Sequence, residues 1–189
     1  RATVGPAITG TAHKEVISGL TEELVIAAPA KDDIIAAAAS SQVPGSGFSG
    51  NVYQREGAAS DEMIHFRSIT GDYDFPEAMG MKMKAGRYFS KDFPGDTMNV
   101  VINETAAKNL GYEDPVGVYL MAYGPDMEVT AQRKIIGVVE DFHTESMHEQ
   151  IPNIVMYFPG NYHASYMAIK VNSQNINQTL EKVSNLWEQ

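Results

Sequence analysis

Five histidines, 24 acidic side chains and no cysteine are the raw material for chemistry in this 189-residue sequence. Only His143 and His148 lie close together, with Glu145 between them. A helical metal pair needs i, i+4 spacing so that both imidazoles share one face, and this pair stands at i, i+5. The expected reading is a polar loop following a strand. The carboxylates gather at Glu140-Asp141 and at Asp72 and Asp74. Acid–base catalysis needs two carboxyls converging in one cleft with separated pKa values. Neighbours in a strand point to opposite faces, so Glu140 and Asp141 do not converge by themselves. Solvated loop carboxylates are expected at these places. Ser46 sits in Pro44-Gly45-Ser46-Gly47-Phe48, which lacks the Gly-x-Ser-x-Gly spacing and the strand-to-helix turn of a nucleophile elbow. No phosphate-binding Gly-rich motif opens a helix, so this chain does not hydrolyse ATP by that route. The absence of cysteine removes thiol nucleophiles, disulfides and thiolate zinc sites together. Of the three methionines Met79, Met81 and Met83, Met81 and Met83 are expected to pack one side of a strand, the sharper alternative being a soft, adaptable contact surface.

The composition is that of a globular chain, 43% hydrophobic and 20% charged. At this length roughly 70% of the unfolded surface can be buried, so one large domain or two small lobes can fold without staples. The formal charge of −10 argues against a nucleic-acid surface and against docking on anionic lipid. No apolar run reaches the 18 residues of a membrane span, and no secretory leader is recognisable. The chain starts at Arg1 without an initiator Met, which predicts an excised fragment. Freedom from cysteine is compatible with an oxidising, extracytoplasmic space.

The elements that would position these residues follow from periodicity. Val16, Leu20 and Leu24 predict a helix over 12–28, preceded by a strand stub from Ala2 to Ile8. Val43 to Gly50 reads as a loop, and Ile34 to Ala39 as a buried strand. Residues 51–56 and 62–69 read as a hairpin, with Ile64 and Phe66 facing inward. A helical turn over 74–79 ends at Gly80. Asn99 to Ile102 is a strand, and Asn103 caps a helix over 104–110 that closes at Gly111. Strands are expected at 117–122, 127–139, 154–158 and 166–171, with a turn at Gly124-Pro125-Asp126. Ile176, Leu180, Val183 and Trp187 form the stripe of an amphipathic helix over 174–188. The order predicts an α+β fold: a split βαβ layer carrying a β-rich insertion. Such a layer wants one more strand after the last helix, and with the chain stopping at Gln189 that strand is expected to be trimmed off or supplied elsewhere.

Several segments in succession carry a resemblance. They are Asp72-Tyr73-Asp74-Phe75 leading into Met79-Gly80, Ala85-Gly86-Arg87-Tyr88-Phe89-Ser90, and Val101-Ile102-Asn103-Glu104-Thr105-Ala106. Gly111-Tyr112-Glu113-Asp114-Pro115-Val116-Gly117 and Ile135-Ile136-Gly137-Val138-Val139-Glu140-Asp141-Phe142-His143 follow. From about residue 33 onward this resembles the extracytoplasmic, MacB-like periplasmic core domain of FtsX-type ABC transporter permeases. Each motif has a physical reading. Gly86 and Arg87 end a strand, Asn103 and Glu104 start a helix, and Gly111 stops it. Asp114-Pro115 with Gly117 makes a turn, and Gly137 in an apolar strand marks the close approach of another backbone. Asp141 and Phe142 complete the last motif. All are expected to make the fold and not to catalyse.

The resemblance implies a periplasmic domain between the first two membrane helices of a permease half. It implies a porter-like lobe, residues 1–79 plus 151–189, and an inserted sabre-like lobe, residues 80–150. A separate cytoplasmic ATPase would drive movement relayed to this domain. Outside, a periplasmic adaptor, an outer-membrane channel or a lipoprotein substrate would receive it. Neither cofactor, metal nor nucleic acid is expected, and the isolated domain is expected to be monomeric. The alternative is an extracytoplasmic sensor with a small-ligand pocket, to which Tyr119, Tyr123, Tyr157 and Tyr162 could contribute. A stand-alone hydrolase is disfavoured by the missing nucleophile–base pair.

Overall fold

A computed structural model describes residues 34–42, 49–57, 62–123, 128–144, 150–158, 165–172 and 176–187. The helix expected over 12–28, the strand stub at 2–8, the Gly124-Pro125-Asp126 turn, His148 and Tyr162 lie outside the described residues, as does most of the loop expected from Val43.

Nine strands and three α-helices are described. The strands are β1 (Ile34–Ser40), β2 (Ser49–Arg55), β3 (Ile64–Thr70), β4 (Met83–Gly86), β5 (Asn99–Asn103), β6 (Tyr119–Tyr123), β7 (Val129–Val139), β8 (Ile154–Tyr157) and β9 (Tyr166–Val171). The helices are α1 (Phe75–Met79), α2 (Glu104–Asn109) and α3 (Ile176–Trp187), with a 3₁₀ turn at Pro94–Met98. The described part is sheet-dominated α+β.

Two sheets form. β1 and β9 make an antiparallel ladder of their own. The other seven strands run in the order β4-β7-β5-β8-β3-β2-β6, and β6 also pairs with β7. That last pairing closes β7, β5, β8, β3, β2 and β6 into a barrel. The pairs β5–β7 and β3–β8 are parallel and the rest antiparallel. Closure depends on the length of β7. Its first half pairs with β6 up to Lys134, and on the same edge Gly137 to Val139 pair with β4. The seven-stranded sheet therefore combines β2, β3 and β8 with β4 to β7.

Side-chain alternation separates two cores. Tyr53, Phe66, Val100, Ile102, Leu120, Ile135, Val138 and Val155 come from all six barrel strands and fill the interior. Ala106 and Leu110, on and just after α2, join them. Tyr53 meets Phe66 edge-on at 5.2 Å between ring centres, a favoured aromatic geometry. The intervening residues point outward. Ile69, Val101, Ile136, Val139, Ile154 and Met156 pack with Ala38, Phe75 and Phe89. Both faces of β5, of the second half of β7 and of β8 are thus buried, which explains apolar runs such as Val100-Val101-Ile102. The hairpin of β2 and β3 forms as the alternation predicts, with Phe66 buried and His65 exposed.

Met79, Met81 and Met83 are half-buried against the outer core. α1 ends at Gly80, whose φ of 68° is a left-handed stop. Leu180 is half-buried and Thr179 buried on α3, while Ile176 remains exposed. Among the described residues, no helix is long and apolar enough to cross a membrane.

Candidate functional site

The most densely bonded polar constellation sits where β5 becomes α2. Asn103 ends β5 with extended backbone, and its side-chain oxygen accepts from the Ala106 N–H at 3.2 Å, capping α2. The same oxygen accepts from the Ile154 N–H at 2.9 Å. Its amide nitrogen donates to Asp141 Oδ1 at 2.9 Å and to the Pro152 carbonyl at 3.0 Å. The residue is fully buried, and all four of its hydrogen-bond positions are occupied. One side chain thereby ties together β5, α2, the segment after β7 and the entry to β8.

Asp141 is the second centre. Besides Asn103, it accepts from the Thr105 N–H at 2.9 Å and from Thr105 Oγ1 at 2.8 Å. Its own N–H donates to Glu104 Oε2 at 3.2 Å, and the other oxygen of Glu104 pairs with Lys84 on β4. That Lys84 bond holds the Glu104 carboxyl below its usual range and raises the Lys84 ammonium. Asp141 is half-buried and engaged, unlike the solvated loop carboxylate expected from the sequence. Tertiary structure brings the N-terminus of α2 to it from 36 residues away, which no local pattern announces. Glu140 and Asp74 are exposed.

The second constellation is the close pairing of β4 with β7 at Gly86 and Gly137. A Cβ on Gly137 would overlap the Arg87 carbonyl and lie 2.7 Å from Met83 Cε. A Cβ on Gly86 would overlap the Ile136 carbonyl and lie 2.9 Å from the Gly137 Cα. Another backbone does pass close to Gly137, and it is that of Gly86-Arg87. Just past the end of β4, Arg87 makes a bidentate pair with Asp96, at 2.6 and 2.8 Å. Asp96 also accepts from the Ser90 N–H at 3.0 Å and Asn99 Nδ2 at 3.1 Å, and is 2% exposed. The guanidinium lies 3.8 Å from the centre of the Phe93 ring. Asp96 is a residue that sequence reasoning missed. Only its position after Pro94-Gly95, in a turn, could have marked it.

Burial pushes the Asp96 carboxyl upward, but Arg87, Ser90 and Asn99 together outweigh it and hold the group below its usual range. The native state then binds fewer protons than the unfolded chain in the acid range. The stabilisation is present above the ordinary carboxylate pKa of about 4 and is lost as pH falls below it. Asp96→Asn is expected to flatten the acid limb of the stability–pH curve below about pH 4. Urea midpoints measured from pH 2.5 to 7 check this, and an unchanged slope would refute the assignment.

The other motif residues are dispersed. Gly111, with φ 75°, follows the Leu110 C-cap of α2. Asp114 accepts from the Val116 N–H, Pro115 is buried and its carbonyl accepts from the Val118 N–H, and Gly117 has φ 96°. Phe142 packs on the outer core, and His143 is exposed. Tyr157 and Tyr53 pack on or within the barrel, while Tyr119 is 39% exposed. Tyr123 donates to Gln54, so its hydroxyl is engaged within the barrel wall. Among the described residues no three His, Asp or Glu side chains cluster closely enough to hold a metal ion.

These features define a scaffold whose polar centres hold strands, turns and a helix end to one another. A family model for the MacB-like periplasmic core domain matches residues 3–186, so the chain belongs to that family and is an extracytoplasmic domain of a MacB-like ABC transporter permease. Similar folds occur in the extracellular domain of the noncanonic ABC-type transporter YknZ from Gram-positive bacteria, 16% identical, TM-score 0.59, covering 88% of this chain and 81% of that one. They occur in the periplasmic region of MacB from Actinobacillus actinomycetemcomitans, 14% identical, TM-score 0.58, covering 92% and 76%. A domain assigned to a permease protein from Porphyromonas gingivalis is 14% identical, TM-score 0.59, covering 90% and 77%. No curated protein gives a significant sequence match.

Proposed function

We propose that this domain passes ATP-driven movement of its permease to a substrate or partner outside the membrane, in export, efflux or lipoprotein handling. ATP hydrolysis belongs to a separate cytoplasmic subunit in this reading, and the domain performs no catalysis. The observation that carries it is the Asn103–Asp141 constellation. Its carboxylate, amide and hydroxyl groups are bonded to one another and to backbone, so they act as structural ties and offer no reacting group to a substrate. The motif residues Gly86, Arg87, Asn103, Glu104, Gly111, Pro115, Gly117, Gly137, Asp141 and Phe142 are fold-making positions.

In this reading the porter-like lobe is residues 1–79 plus 151–189 and the insert is residues 80–150. The ladder of β1 and β9 joins the two chain ends, and the seven-stranded sheet takes β2, β3 and β8 from the first lobe and β4 to β7 from the second. An adaptor, an outer-membrane channel or a lipoprotein is the candidate outer partner. The isolated domain is monomeric in this reading, since copies carrying −10 repel at low salt.

The test uses the full-length permease in nanodiscs, with one dye at Met98, which is 59% exposed, and one on a membrane helix. A nucleotide-dependent change in energy transfer is expected. A distance that stays fixed through the ATPase cycle would sink the relay.

A further inference from the structure

The ladder of β1 and β9 and the barrel are separate sheets, yet they exchange backbone hydrogen bonds at one corner. There the end of β1 lies against the end of β3. Ser40 and Gly71 form an isolated antiparallel bridge. The Asp72 N–H donates to the Ala39 carbonyl at 3.1 Å, and the Ala39 N–H donates to Asp72 Oδ2 at 2.7 Å. Ser40 Oγ donates to the Thr70 carbonyl at 2.7 Å, and the Ser41 N–H donates to Thr70 Oγ1 at 3.0 Å. The Gly71 N–H continues into the barrel, donating to the Tyr157 carbonyl of β8 at 3.1 Å.

Resting on the relay reading above, we infer that this corner is the joint through which movement of the β1–β9 ladder reaches the barrel, and that Asp72 is its positioning residue. The bonds from Ala39, Ser40 and Ser41 to Thr70 and Asp72 join the ends of β1 and β3, and just beyond them the Gln42 side chain meets Ser49 of β2. A two-stranded ladder is marginal alone, so its order depends on what it is tied to. The corner also admits little play. A Cβ on Gly71 would fall 2.6 Å from the Phe75 ring, which is buried where α1 packs beneath the ladder. On α1, the Glu77 carbonyl accepts from Lys170 of β9 at 3.2 Å, a second tie from below. Asp72 does what a backbone carbonyl would do if β1 and β3 continued as a regular ladder. Its carboxylate supplies the acceptor for Ala39 where the chain turns away toward α1. Burial, chiefly, with help from Asp74, raises its carboxyl above the usual range, against the lowering by the Ala39 N–H. The buried phenol oxygen of Tyr88, without a partner, feels this carboxylate and is pushed upward, mainly by burial.

Two variants separate a joint from a generally useful residue. Asp72→Ala removes the acceptor and leaves the Ala39 N–H unpaired, whereas Asp72→Asn keeps an acceptor oxygen. Hydrogen exchange in the full-length permease is expected to speed up about tenfold at β1 and β9 in the Ala variant, with β5 and β7 unchanged. The Asn variant is expected to restore protection. Acceleration spread evenly over both sheets, or none at all, would overturn the assignment. Spin labels at Ile35 and Met98, both exposed, add a second readout in a chain that contains no cysteine. One narrow distance distribution is expected in the parent, with and without nucleotide, and a broadened one in Asp72→Ala. A distribution equally broad in both would also overturn it. Neither measurement depends on nucleotide-driven movement relative to the membrane, so the joint and the relay can fail separately.

Discussion

Asn103→Ala is expected to cost about 4 kcal/mol of folding stability, among the largest effects of any single polar substitution in this chain. A typical buried hydrogen bond contributes about 1 kcal/mol net, but leaving a buried partner unpaired costs about 1–3 kcal/mol. Removing Asn103 strands several groups at once. The Ala106 N–H loses its cap, the Ile154 N–H loses its acceptor, and the Pro152 carbonyl and Asp141 lose a donor. Capping alone is worth about 1 kcal/mol. Water cannot easily repair the site, because Asn103 has no exposed surface. Asn103→Asp is expected to be at least as harmful. It keeps the acceptor but loses both donors and places a carboxylate against Asp141. Urea unfolding followed by the fluorescence of the barrel tyrosines gives the comparison. A loss below about 1 kcal/mol for the Ala variant would mean that the four bonds are not formed together.

The sequence made part of this constellation legible and hid the rest for physical reasons. Asn103 as a cap, Gly111 as a stop and Gly80 as the end of α1 are local features, set by backbone conformation within one turn. The strands around them are local too, because period-2 alternation and apolar runs mark them. What could not be seen was partnership. That Asn103 also holds the Ile154 N–H depends on β5 lying antiparallel to β8, 51 residues away. Asp141 and Asp72 read as loop carboxylates because their donors lie 36 and 33 residues distant. Closure of the barrel was equally hidden. It depends on β7 serving β6 with one half and β4 with the other, and an unbroken strand running from polar to apolar gives no sign of two partners. Asp96 escaped notice because its value comes from Arg87, placed by the pairing of β4 with β7. Gly137 was the exception: a glycine within Ile135-Ile136-Gly137-Val138-Val139 has no local use, so it pointed to something outside the strand.

Gly86→Ala is expected to destabilise the fold by about 3 kcal/mol or more, and Gly137→Ala by a comparable amount. Two effects add at Gly86. Its φ of 65° lies in the left-handed region, which costs a residue with a Cβ about 1–2 kcal/mol. Its Cβ would also overlap the Ile136 carbonyl, a backbone atom that cannot swing away as a side-chain tip can. At Gly137 the conformation is ordinary and the cost is steric alone, since the methyl would meet the Arg87 carbonyl. Relief at either position requires β4 and β7 to separate. That would lengthen the Arg87 N–H to Ile136 carbonyl bond, now 3.0 Å, and displace Arg87 from Asp96. The two sites therefore share one strain. The double variant is expected to cost less than the sum of the singles, because one separation of the strands relieves both. A gain in acid sensitivity should not accompany the loss: once Arg87 has been displaced, the Asp96 carboxyl returns toward its ordinary value and its share of the acid limb disappears. Denaturant midpoints of the two single variants and the double, at pH 7 and near pH 3, test all of this together. Strict additivity, or an intact acid limb in Gly86→Ala, would show that the β4–β7 contact and the Arg87–Asp96 pair are independent.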